Sequence, residues 1–150
     1  MAAGSIGQAK VFDYEEFRKR RRPWLDFLEA ILNRAEDEPA PDWAGLFEAT
    51  KALAASREDF EPTLRLGYTL LRDLAQIAVH GSGFPVVNLD LAPRLSVWAR
   101  KLGTQGIDHL KTGLDQAYRL RTRNVNQQLG LEVLAADVFA GSAASPARTK

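Results

Sequence analysis

Apolar residues recur at three- and four-residue intervals along nearly the whole chain, the spacing of one helix face rather than the alternation of a strand. Phe17, Leu25, Leu28 and Leu32 mark a first segment from about Phe12 to Ala35. Pro23 falls inside it, so the segment is either one kinked helix or two, and because the residue before proline avoids the helical region, a break near Arg22 is favoured. Trp43, Leu46, Phe47, Ala49 and Leu53 predict an apolar face on a second helix ending near Ala55. A third helix, Phe60 to Val79, carries two apolar stripes, one through Phe60, Leu64, Gly67, Leu71, Leu74 and Ala78 and one through Leu66, Leu70 and Ile77. It is therefore expected to be central. Leu91 to Leu102 predicts a fourth helix, Ile107, Leu110, Leu114, Ala117 and Tyr118 a fifth, and Gln127 to Phe139 a sixth.

Punctuation between these runs is equally specific. Ser56 and Asp59 have capping-box spacing, and Asp90 is positioned to cap the fourth helix. Gly81 and Gly103 are expected as left-handed helix stops. In "RTRNVNQQLGLEVL", Asn124 is expected to end the fifth helix and Asn126 to accept from the first free amides of the sixth. Such a short turn forces the two helices antiparallel. The fold class that follows is all-α, a compact antiparallel bundle of about five to six helices. Residues 1–10 are expected to be a disordered lead or expression scar, 11–139 the helical domain and 140–150 a disordered tail.

Composition narrows the functional classes. With 150 residues the chain has the length of one domain. Twenty Lys and Arg against 19 Asp and Glu give a net charge of +1, which counts against a dedicated nucleic-acid binder. The absence of cysteine excludes disulfides, thiolate metal sites and a cysteine nucleophile. No run of about 18 apolar residues occurs, and the N-terminus lacks the pattern of a secretory signal. The two histidines, His80 and His109, form no metal motif. "HGSGFP" is glycine-rich but follows a helix, unlike a phosphate loop. No local motif combines a nucleophile with a base, so no catalytic, cofactor-binding or metal residue is expected. Trp24, Trp43 and Trp98 are expected in the core. The strongest charge feature is "FRKRRRP", with Arg18, Lys19, Arg20, Arg21 and Arg22 in succession, weighed equally as a solvated helix segment and as a binding surface.

The second half of the chain also resembles a known family. "LLRDLAQIAVHGSGFPVVNLDLAPRLSVWARKL", with its Leu-Arg-Asp-Leu and Val-Asn-Leu-Asp segments, is followed by "GLDQAYRLRTRNVNQQLGLEVL". Together these resemble the C-terminal collar domain of bacterial DNA polymerase III clamp-loader subunits, most of all the delta-prime subunit. The match runs over roughly Phe17 to Val138. It is most specific in Leu70–Leu74, Asn88–Asp90 and Arg119–Leu134, with Asn88, Asp90, Asn124, Asn126, Leu129, Leu131, Glu132 and Leu134 as its motif residues. The resemblance implies a non-enzymatic scaffolding module without cofactors, in a bacterial cytoplasmic replisome. Its partners would be the collar domains of other subunits, and it would meet the sliding clamp and primed DNA only through the full assembly. The ATPase module of such subunits is absent, so the chain is expected to be part of a longer subunit. Candidate interface residues are Arg119 and Arg123, with the run Arg18 to Arg22 as a second surface. The competing expectation is a nucleic-acid-binding helical module that uses Arg18–Arg22.

Overall fold

The computed structural model describes residues 14–32, 42–123 and 126–144, with side chains through residue 140. Among them lie five helices and no strand: α1 (Tyr14–Leu32), α2 (Trp43–Leu53), α3 (Phe60–His80), α4 (Ala92–Leu120) and α5 (Gln127–Ala144). A single 3-10 turn, Leu89–Leu91, leads into α4. The all-α bundle is as the periodicity predicts. α4 packs against α3 on one side and α5 on the other, while α1 lies along α2 and α2 reaches α5. The core joins Trp24, Phe27 and Leu28 of α1 to Leu64, Leu70 and Leu74 of α3. Leu95, Trp98 and Leu114 of α4 and Leu131, Leu134 and Val138 of α5 complete it.

Most chain punctuation acts as expected. Gly81 ends α3 at φ 94°, with its N–H donating to the Ile77 carbonyl at 2.8 Å. Gly103, at φ 66°, kinks α4 into arms 92–102 and 104–120, the fourth and fifth helices of the sequence. The Asn126 side chain accepts from the Leu129 amide at 3.1 Å, which caps α5. Removing that acceptor in Asn126→Ala should cost about 1 kcal/mol in urea denaturation. Half of the capping box forms: the Asp59 amide donates to Ser56 Oγ at 3.2 Å. Asn124 and the lead at residues 1–10 lie outside the described residues.

Four expectations are corrected. α1 does not break at Arg22 but continues through Pro23. Proline inside a helix costs about 3 kcal/mol, yet stopping there would unseat Trp24, Phe27, Leu28 and Ile31, which are at most 2% exposed. Lys101 Nζ also donates to the Leu32 carbonyl at 2.9 Å, capping the far end of α1. Second, Asp90 caps nothing: α4 begins after Leu91 without a side-chain cap. Third, the tail expected from residue 140 starts as helix, because α5 extends to Ala144. Fourth, Trp43 is 54% and Phe47 52% exposed, whereas Leu46, Ala49 and Leu53 of the same helix are buried. The short α2 turns a narrower stripe inward than its apolar residues would fill. Trp24 and Trp98 are in the core, and the Trp24 indole donates to the Thr63 carbonyl at 2.7 Å.

A polar seam ties α3 to the second arm of α4. Glu61 accepts from Arg65 at 2.9 Å and from Arg121 at 3.0 Å. Asp115 accepts from Lys111 at 2.8 Å and from the Tyr68 hydroxyl at 2.6 Å. Arg65 and Arg121 hold Glu61 below its ordinary 4.5, and Lys111 and Tyr68 hold Asp115 below its ordinary 3.8. Burial and the Asp115 bond push the Tyr68 hydroxyl up. A carboxyl with a lowered folded value stabilises the fold above its unfolded value and loses that contribution as pH falls through the folded one. Melting temperature should therefore fall as pH drops below 4.5 and then below 3.8. The double variant Glu61→Gln, Asp115→Asn should show a shallower acid limb in thermal melts, and an unaltered limb would count against the seam.

Candidate assembly surface

The residues that carry the resemblance divide into a buried lock and a packed helix. Asp73, on α3 and 1% exposed, accepts from the backbone amides of Val87 at 2.9 Å and Asn88 at 2.8 Å. It also accepts from Asn88 Nδ2 at 2.8 Å. Asn88, 2% exposed, in turn accepts from Arg21 at 2.9 Å. Arg21 then closes a two-pronged ion pair on Asp90. That guanidinium holds the Asp90 carboxyl below its ordinary value. The lock thus pins the end of the α3–α4 loop to α1. Asp73 lies within Leu-Arg-Asp-Leu, but nothing local shows which acid of a helix will meet a loop.

The lock corrects the reading of Arg21 as an interface candidate. Only 3% of its side chain is exposed, and its guanidinium sits 5.0 Å from the Phe17 ring. Its neighbours Arg18, Lys19, Arg20 and Arg22 point to solvent. Three of them meet acids of their own helix: Arg18 with Glu15 at 3.8 Å, Arg20 with Glu16 at 3.2 Å and Arg22 with Asp26 at 3.0 Å. Five cations of α1 therefore face four acids on the same helix, Glu15, Glu16, Asp26 and Glu29. The run is a mixed-charge face more than a basic stripe.

Arg119 and Arg123 are both exposed, Arg119 in the last turn of α4, which ends at Leu120, and Arg123 in the turn beyond. Its carbonyl accepts from Arg57 at 2.9 Å. Arg121, between them, is committed to Glu61 and lies over the Tyr118 ring at 3.7 Å.

The α5 residues of the resemblance have divided roles. Leu131 and Leu134 are buried, and Glu132 accepts from Gln128 at 3.2 Å and reaches Thr50 of α2 at 3.5 Å. Leu129 faces outward at 55% exposure, and Val133, one turn on, is 54% exposed. Ala136 and Ala140 continue this outer stripe. The described part of α5 has apolar residues around its whole circumference, with Glu132 and Asp137 its only charges. A helix of that kind is ordinarily covered on all sides, yet here one side is open.

That open side forms one wall of a groove. A cleft of about 290 Å³ lies between the second arm of α4 and α5, with Phe60, Ala117, Leu120, Leu129 and Val133 in its walls. It continues past Gly113, Gln116 and Asp137 into a shallower stretch that reaches Gln105, His109 and Ala140. The close helix contact beneath depends on Gly113, where any Cβ would fall 1.7 Å from Leu134 Cδ1. Gly113→Ala should therefore force α5 outward and lower stability by about 1–3 kcal/mol in urea denaturation.

Among the described residues, no group of three or more His, Asp or Glu side chains is placed to hold a metal ion. No described helix is long and apolar enough to cross a membrane. No protein-family model, curated protein or solved structure matches the chain.

Proposed function

We propose that the chain is an assembly module, the collar domain of a bacterial DNA polymerase III clamp-loader subunit of the delta-prime kind. In this reading it packs against the collar domains of sister subunits in the complex that loads the sliding clamp, and it is not itself an enzyme. The observation that carries the reading is the uncovered side of α5, where Leu129 and Val133 stay more than half exposed on a helix that lacks a polar face. Burying apolar surface is the main drive for association. Collar contacts would then hold the ATPase modules of several subunits at high effective concentration. Asn126, Leu131 and Leu134 support the reading indirectly: they start and anchor the helix that carries this surface.

The test is to mix the chain with the other clamp-loader subunits and measure the mass of the product. A stoichiometric complex is expected, and separate elution of every component would overturn the reading. Charge reversal at Arg119 and Arg123 should weaken that co-elution, and an unchanged complex would remove both from the interface. The nucleic-acid reading of Arg18–Arg22 predicts DNA affinity that falls steeply with salt. With three of its four exposed cations paired to neighbouring acids, the run should give no such slope.

A further inference from the structure

The groove between α4 and α5 carries information about its occupant. Its length follows from the lining residues of α4, which run from Gln105 to Leu120. At the helical rise this is about 22 Å, four turns of helix. Its walls are two antiparallel helices joined by a short turn, and the space above such a pair is the seat of a third helix. The walls are mostly apolar or uncharged amides.

The charges are more selective. Among the described residues, no Lys or Arg lines the groove. Asp137, near the middle, is the only carboxylate among the described lining residues, and His109 lies toward one end. Groove-to-groove pairing of two copies would bring acids together with no cation to meet them. A different helix that carries its own cation finds both an apolar bed and a counter-charge.

We propose that this groove receives an amphipathic α-helix from a neighbouring, non-identical subunit. That helix is apolar along one stripe and places a Lys or Arg against Asp137. The proposal deepens the assembly reading and rests on it. It names a contact surface distinct from the Arg119 and Arg123 pair, and it makes the isolated chain a monomer.

Three substitutions test it without disturbing the core. Val133→Glu puts a charge on the apolar wall at a half-exposed position. Gly130→Leu fills the groove, since a Cβ at Gly130 meets nothing within 4 Å. Asp137→Lys reverses the lone carboxylate. Each variant should keep its helical circular dichroism and melting temperature. The probes are the purified sister clamp-loader subunits, with complex formation read as molar mass and dissociation constant. The wild-type chain alone should be monomeric and should bind them. Val133→Glu and Gly130→Leu should weaken binding by at least about tenfold, as expected for central apolar contacts, and Asp137→Lys should weaken it as well. If the wild type binds and folded Val133→Glu and Gly130→Leu bind equally well, the groove assignment is wrong while the assembly reading stands. If the wild type binds none of the subunits, the assembly reading fails and the groove's occupant with it. A wild-type homodimer dissolved by Val133→Glu would also overturn the proposal, by making the occupant a second copy.

Discussion

Replacing Asp73 with alanine should destabilise the fold by about 3–5 kcal/mol, a size typical of breaking a buried polar network from one side. The cost arises in what is left behind. Two backbone amides, Val87 and Asn88, and the Asn88 side-chain amide all donate to this one carboxylate. With Asp73 gone, the Asn88 side chain loses the bond that orients it, so its acceptor contact with Arg21 is weakened too. The loop end would then loosen from both α3 and α1. Urea denaturation of Asp73→Ala is the direct measurement. Arg21→Met should cost less, because Asp90 is 38% exposed and regains water when its partner is removed. A loss below about 1 kcal/mol for Asp73→Ala, the scale of a single ordinary hydrogen bond, would mean that the loop is not held by the lock.

The second large effect lies where α1 crosses α3. Trp24→Ala should cost about 3–5 kcal/mol, the usual range for deleting a fully buried aromatic side chain. The indole is 2% exposed, stacks edge-on against Phe27 and donates to the Thr63 carbonyl. It also lies directly on Gly67: a Cβ there would fall 2.7 Å from Trp24 Cζ2. Gly67→Ala should itself destabilise by about 1–3 kcal/mol through overpacking. The two changes should not add. Once the indole is gone, the methyl of Gly67→Ala occupies vacated space, so the double variant should be less destabilised than the sum by at least about 0.5 kcal/mol. Additive losses in a double-mutant cycle would show that the clash is relieved by movement elsewhere.

The bond from Trp24 to Thr63 marks a wider division. An indole donor needs a partner once buried, and that need is visible in the sequence, but the partner is 39 residues away. Arg21 is a sharper case. Five consecutive cations point all round a helix axis, so one of them must face neighbouring structure. Which one is decided by where the α3–α4 loop brings Asn88 and Asp90. Trp43 and Phe47 show the same limit on α2, whose apolar residues outnumber the places its neighbours leave open. The continuity of α1 through Pro23 was also hidden, because a local penalty of about 3 kcal/mol is outweighed by core contacts that exist only after the helices assemble.

What the sequence determined by itself was set by short-range stereochemistry. Helical periodicity specified the all-α class, glycine's access to positive φ placed the stop at Gly81 and the kink at Gly103, and the short side chain of Asn126 started α5. The tertiary structure alone decided which side of each helix is covered. It sank Arg21 and Asp73 into a lock, lifted Trp43 to the surface and left one side of α5 open beside α4. The reason is one of range: backbone angles and caps are chosen by residues within a turn of one another, whereas burial depends on partners brought from distant parts of the chain. α5 offered no polar face to point outward, so only the packing of its neighbours could decide which apolar side remains free to bind.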